Sequence, residues 1–172
     1  MPDDTFDVVF VCTGNQFRSP LAEAVFARAT TGLPVRVSSC GTWAMDGARA
    51  FEEAAELGTR LSVDLSAHRS RRLGDLSRAD LVVGFERGHV ERAVVDGGAP
   101  RTRAFTLPQI VELLEEAPTD GSPRERLEAL RAGNVLEAPE IEDPIGLRAE
   151  RQEAIADEVE DLANRLADAL FR

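Results

Sequence analysis

The sequence has no lysine and no tyrosine, and only two cysteines, two histidines and one tryptophan in 172 residues. Cys12 and Cys40 cannot build the disulfide framework that staples small secreted domains, so reduced thiols in a cytoplasmic protein are the expectation. The start, Met1-Pro2-Asp3-Asp4, is acidic where a secretion signal begins basic. The apolar run from Val8 to Cys12 is far shorter than the ~20 residues a spanning helix needs. Cations are also scarce. Twenty arginines face 31 acidic residues, a net charge of −11. Such a surface repels nucleic acid and anionic membranes, and neither is expected as a partner. It repels phosphorylated substrates at long range too, so a phosphate site here has to be a local island of positive charge. The exclusive use of arginine fits a GC-rich coding sequence better than a functional demand.

What is present is an ordinary globular balance. Hydrophobic residues make up 43% and charged residues 30%, which argues against disorder. The length suits one domain, residues 1–172, around one sizeable core.

Strand and helix patterns alternate along it. Phe6 to Val11 is β-branched and apolar, the pattern of a buried strand. Ser19-Pro20 reads as the opening of a helix, with Ser19 as N-cap and an apolar stripe at Leu21, Val25 and Phe26. Pro34 to Ser39, Ala79 to Gly84 and Arg101 to Thr106 are further strands. Gly47 to Gly58 and Arg69 to Leu76 read as helical. In the terminal helix, Leu147 to Phe171, the residues Ile155, Val159, Leu162, Leu166 and Leu170 share one face. This order predicts an α/β fold with a short, four-stranded parallel sheet covered by helices on both faces. Ligands of such folds bind at the carboxyl ends of strands. The acidic, proline-containing segment Glu115 to Glu142, with a short helix expected at Pro123 to Ala132, reads either as a flap or insertion over the site or, more economically, as a solvated connection.

The loop after the first strand, Cys12-Thr13-Gly14-Asn15-Gln16-Phe17-Arg18-Ser19-Pro20, carries the chemistry. Gly14 and Asn15 tolerate backbone conformations that let successive N–H groups turn inward as an anion nest. A helix N-terminus follows and adds partial positive charge. Arg18 offers a planar fork for two phosphate oxygens. The same field favours the thiolate of Cys12, which is the nucleophilic form. A cysteine and an arginine six positions apart mean little alone, since buried cysteine often serves as a small hydrophobe. Strand, Gly-Asn, Arg-Ser-Pro and helix in one run mean more.

Val11-Cys12-Thr13-Gly14-Asn15 with Arg18-Ser19-Pro20 resembles the phosphate loop of low-molecular-weight protein tyrosine phosphatases. Ser39-Cys40-Gly41-Thr42, the His-containing turn Asp64 to Arg71, Ala79-Asp80-Leu81 and Asp143-Pro144-Ile145-Gly146 match family segments in the same order. The resemblance implies that Cys12 attacks phosphorus to form a phosphocysteine, that Arg18 and the loop amides bind the phosphoryl oxygens, and that Asp143 is general acid and then base. It implies substrate contacts from Thr13, Gly14, Asn15, Gln16, Phe17 and Ser19, with Trp43 as a stacking wall or else a half-buried packing residue. Asn15 and Ser19, with Ser39 and His68, match the hydrogen-bond network that supports the loop. No metal or cofactor is implied. The substrate is a phosphorylated protein side chain, phosphotyrosine first, or a small phosphomonoester; the oligomeric state is left open.

Three positions depart from the family pattern. Phe17 stands where a second, protective cysteine is common. Ile145 stands where an aromatic usually follows Asp-Pro. Gln16 occupies a specificity position that is branched aliphatic in many tyrosine phosphatases and threonine in protein arginine phosphatases. Phe105-Thr106-Leu107 also resembles the bacterial branch that includes arginine phosphatases, so phosphoarginine is the alternative substrate. An arsenate reductase would need resolving cysteines, and Arg78 to Val95 has none. A non-catalytic phosphate-binding module of the same fold is the other alternative; the altered Gln16, Phe17 and Ile145 favour it, but it has no use for a nucleophile together with a general acid.

Overall fold

A computed structural model describes residues 4–130 and 135–172. Four strands, β1 (Phe6–Cys12), β2 (Val35–Gly41), β3 (Leu81–Gly84) and β4 (Ala104–Thr106), form one sheet in the order β2-β1-β3-β4, with every neighbouring pair parallel. The helices are α1 (Arg18–Ala29), α2 (Glu52–Arg60), α3 (Arg87–Val95), α4 (Leu107–Glu116), α5 (Pro123–Ala129) and α6 (Ala149–Phe171). The parallel sheet expected from the alternation of patterns is the sheet the chain forms.

β1 is apolar nearly throughout because both its faces are covered. Phe6, Val8, Phe10 and Cys12 join the larger core, with α1, α4 and α6, while Val9 and Val11 join a smaller one, with α3. The stripe on α6, Ile155, Val159, Leu162, Leu166 and Leu170, is buried in the larger core. Each fully buried large side chain there contributes about 1.5–3 kcal/mol relative to exposure. Among the described residues, no helix is long and apolar enough to cross a membrane.

The strand order places the site. From β1 the chain moves to β2 on one side, then returns to β3 on the other. The carboxyl ends of β1 and β3 therefore bound the crevice where connections diverge, the usual ligand position in open parallel sheets.

Several local expectations change. α1 begins at Arg18 with Phe17 as its N-cap residue, and no side chain caps it, so Ser19 is not the cap. Gly47 has φ +83°, outside helical geometry, so the helix expected from Gly47 begins only at Glu52; it runs on through Gly58 to Arg60. Arg69 to Leu76 is not helical. The edge of β2 captures it instead, with Gly41 N donating to Arg71 O and Leu73 N to Gly41 O, both at 2.9 Å. Arg101–Arg103 is a 3-10 turn, and only Ala104–Thr106 pairs as strand.

The segment from Glu115 to Glu142 touches both ends of the sheet. Within α5, Leu127 is buried and Arg124 bonds the Asp80 carboxylate and Thr5 O, at the amino ends of β3 and β1. The expected end of that helix at Ala132 lies outside the described residues. Farther on, Pro139 O accepts from Thr106 Oγ1 and Ile141 N donates to Phe85 O, at the carboxyl ends of the sheet.

Candidate active site

Cys12 ends β1 and Arg18 begins α1, so the loop between them turns at the carboxyl end of a central strand. Its tightest point is Asn15, in the left-handed region at φ 54°. That conformation is held by a dense set of bonds. The Asn15 carbonyl accepts from His68 Nε2 at 2.7 Å and from Ser70 Oγ at 2.8 Å. Asn15 Oδ1 accepts from Arg71 N, and Nδ2 donates to Ser19 Oγ at 2.8 Å and Ser39 Oγ at 2.9 Å. Ser39 Oγ in turn donates to Glu23 Oε2 at 2.5 Å. β2 closes in from the other side, with Thr42 N donating to Cys12 O and Trp43 N to Thr13 O. Gly41 permits that approach. A Cβ there would lie 2.5 Å from Thr13 O.

These bonds give the network a direction. Because Asn15 Nδ2 donates to Ser19 Oγ, the Ser19 hydroxyl hydrogen is left for Cys12 Sγ, 2.9 Å away. The first turn of α1 keeps its backbone N–H groups free of a side-chain cap, which is what anion binding at a helix N-terminus requires.

Arg18 is only 2% exposed. Its Nη1 donates to Glu86 Oε2 at 2.9 Å and to Ile141 O at 2.7 Å, and its guanidinium lies over the Phe85 ring. Among the described residues, Nε and Nη2 have no hydrogen-bond partner, so that edge of the fork is left for an anion. Bonding through Ile141 also ties Arg18 to the segment that carries Asp143.

Cys12, Thr13, Gly14, Gln16, Phe17, Arg18, Phe51, Asp143 and Ile145 line one cleft of about 180 Å³. Asp143 is exposed and its Oδ1 accepts from Ile145 N. The structure thus brings Asp143, from a distant part of the chain, into the cleft beside Cys12 and Arg18 of the loop. Asn15 and Ser19, expected against the substrate, are fully buried behind the loop and support it instead. The Phe17 side chain packs into the larger core. Gln16 lines the cleft, its Nε2 donates to Arg49 O, and its Oε1 lies 3.7 Å from where a Cβ on Gly14 would sit. Trp43 is 83% exposed and lines a neighbouring cleft with Arg72 and Arg92, so it is neither half-buried nor against Cys12.

Sequence reasoning missed Glu86 and His89. His89 is buried in the first turn of α3, with Nε2 at 2.9 Å from Thr13 Oγ1 and Nδ1 facing the N–H groups of Phe85 and Glu86. Burial, and secondarily the Arg18 charge, pushes its pKa down to about 3. A His three residues after an acidic residue at a strand end was the available signal.

Cys40 neighbours Cys12 more closely than the sequence suggested. It is paired with Val11 in β2, but its side chain joins the smaller core on the opposite face. Burial pushes its thiol up to about 12. A thiol so placed cannot resolve an oxidised Cys12. Excess peroxide is therefore expected to inactivate the protein with little recovery on adding thiol, and Cys40→Ser should leave that outcome unchanged. Full recovery on adding thiol would contradict it.

The family model described as low molecular weight phosphotyrosine protein phosphatase matches residues 7–131. Over 168 residues the chain is 32% identical to a protein-arginine-phosphatase of Bacillus subtilis (strain 168), covering 95% of this chain and 96% of that one. It is 41% identical to low molecular weight protein-tyrosine phosphatase A of Mycobacterium tuberculosis (strain ATCC 25618 / H37Rv) over 93 residues, 50% of this chain and 56% of the other. A structure of a cysteine-to-serine mutant of the YwlE arginine phosphatase, with a phosphorylated active-site serine, superposes with a TM-score of 0.75 at 28% identity, covering 95% of this chain and 94% of that one.

Proposed function

The chain belongs to the low molecular weight phosphotyrosine protein phosphatase family, whose members are phosphatase hydrolases, and from that membership we propose that Cys12, Arg18 and Asp143 carry its chemistry. The observation that supports this assignment is the Ser19-bonded thiol of Cys12 in one cleft with Arg18 and Asp143.

The reaction runs in two steps. The Cys12 thiolate attacks phosphorus, an S–P bond forms and the P–O bond of an ester, or the P–N bond of a phosphoarginine, to the leaving group breaks. Protonated Asp143 delivers its proton to the departing oxygen or nitrogen. Arg18 Nε and Nη2, with the loop amides, hold the phosphoryl oxygens where charge develops. Water then attacks phosphorus, Asp143 takes its proton, and the S–P bond breaks. Ser19, already aimed at Sγ, donates to the sulfur as it regains negative charge. The phosphorylated serine in the YwlE mutant supports an intermediate of this kind.

Asp143→Ala should lower turnover by about a hundredfold to ten-thousandfold on esters with poor leaving groups, and much less on an aryl phosphate whose phenolate departs without a proton. Equal losses across a leaving-group series would remove Asp143 from the acid role.

The substrate is a phosphorylated side chain of a protein, with phosphotyrosine the family expectation. Phosphoarginine is a second reading, and Gln16 favours it. Gln16 lines the cleft with its amide nitrogen tied to Arg49 O, which leaves Oε1 as the acceptor that a guanidinium N–H can donate to and a phenyl ring cannot. Matched phosphotyrosine and phosphoarginine peptides decide between them, since the higher kcat/KM names the substrate. Inertness on both and on an aryl phosphate, with inorganic phosphate still bound, would make the chain a phosphate-binding module.

A further inference from the structure

His89 has no part in the two steps above, yet the phosphate loop rests on it. Its protonation pattern follows from its partners. Nδ1 lies 3.2 Å from Phe85 N and 3.0 Å from Glu86 N, and both of those groups can only donate. Nδ1 is therefore the acceptor, and the neutral ring carries its hydrogen on Nε2. An imidazolium would set a third N–H against those two. Burial and the nearby Arg18 charge disfavour the cation as well. Nε2 lies 2.9 Å from Thr13 Oγ1 and 3.3 Å from Glu86 Oε2, so the threonine oxygen receives a hydrogen bond from beneath. The fold makes room for this ring. A Cβ on Gly84, the last residue of β3, would come within 2.8 Å of His89 Cβ.

Thr13 follows the nucleophile and lines the cleft with Cys12 and Arg18. A hydroxyl that accepts on one side has its single hydrogen to give on another. We propose that His89 is a positioning residue for the phosphatase reaction: by donating from Nε2 to Thr13 Oγ1, it turns the threonine hydroxyl into a fixed donor aimed into the cleft, toward the Cys12 thiolate and the phosphoryl group that it attacks. The ring is locked by two backbone donors, so the hydroxyl keeps this direction before substrate arrives. That is pre-organisation of the loop rather than contact with substrate. The proposal rests on Cys12 as the nucleophile.

The test uses His89→Asn, Thr13→Val and the double variant. The side-chain carbonyl that His89→Asn introduces can take over the two backbone N–H groups, but the shorter side chain cannot reach Thr13, which separates the structural role from the positioning role. Three readouts are needed: kcat on an aryl phosphate, the pH dependence of Cys12 alkylation by iodoacetamide, and Tm. Each single variant is expected to lower kcat about tenfold, the scale of one net hydrogen bond. Each should also move the alkylation midpoint to higher pH, and the double variant should be no worse than Thr13→Val alone. Losses that multiply in the double variant would overturn the proposal. So would a His89→Asn protein that loses Tm while its alkylation profile stays in place. Should His89→Asn not fold, Thr13→Val still decides, because an unmoved alkylation profile there leaves His89 nothing to act through. Alkylation needs no substrate, so wild-type inertness on every ester would sink the proposed function and leave this test readable.

Discussion

Cys12→Ser is expected to abolish turnover of every phosphate ester that the wild type hydrolyses, a loss on the order of a million-fold, the scale seen when a nucleophile that works as part of a unit is removed. The size of the effect follows from what remains. Serine is nearly the shape of cysteine, so the loop, the Asn15 network and the Arg18 fork stay in place. What disappears is the easily ionised sulfur, which is both the attacking atom and a good leaving group in the second step. Binding and chemistry should therefore separate. Inorganic phosphate, titrated calorimetrically, should bind the variant within a few-fold of wild type while aryl phosphate turnover falls to background. Residual turnover near one per cent of wild type, with contaminating phosphatase excluded, would mean that phosphorus is attacked by water directly and that Cys12 is a binding group.

Arg18→Lys comes second in size and tests a different part of the site. Arg18 does two jobs with one planar group. Nη1 is anchored by Glu86 Oε2 and Ile141 O, and in the proposed reaction Nε and Nη2 are left to hold the phosphoryl oxygens. A lysine ammonium is a point charge that cannot hold both edges at once. It either keeps the Glu86 pair and loses the phosphoryl oxygens, or turns to phosphate and leaves the Glu86 carboxylate beside a dianion. Removing one such preorganised donor costs about a hundred- to a thousand-fold in kcat. Loss of the planar pair should reach at least the lower end, with phosphate affinity falling as well. Glu86→Gln should cost less than Arg18→Lys, because the neutral amide still accepts from Nη1. If Arg18→Lys keeps kcat/KM within tenfold of wild type, bidentate recognition is not what the fork provides.

Much of this is legible in the sequence. The alternation of strand and helix patterns foretold four parallel strands, and the stripe on the last helix is the buried stripe of α6. Such patterns depend on spacing within one element, and a backbone of fixed period converts spacing into a face. Cys12 and Arg18 belong to the same local class, because a single short turn between a strand and a helix brings them together. Boundaries fared less well where tertiary contacts overrode local preference. Ser19 is a good cap by type, yet its hydroxyl goes to Cys12 Sγ. Arg69 to Leu76 is captured by the open edge of β2 rather than coiling on itself.

The sequence by itself determined the strands of the sheet, the loop from Cys12 to Arg18 and the chemical character of the proposed nucleophile, since each is written in neighbouring residues. Only the tertiary structure decided who surrounds them. Glu86 and the Ile141 carbonyl meet Arg18 from 68 and 123 residues away, and His89 meets Thr13 from 76. It also decided that Trp43 faces solvent and that Cys40 lies on the wrong face of the sheet to protect Cys12. No spacing rule reaches across such separations. These contacts arise because two strands distant in sequence lie side by side, and their loops then share one crevice.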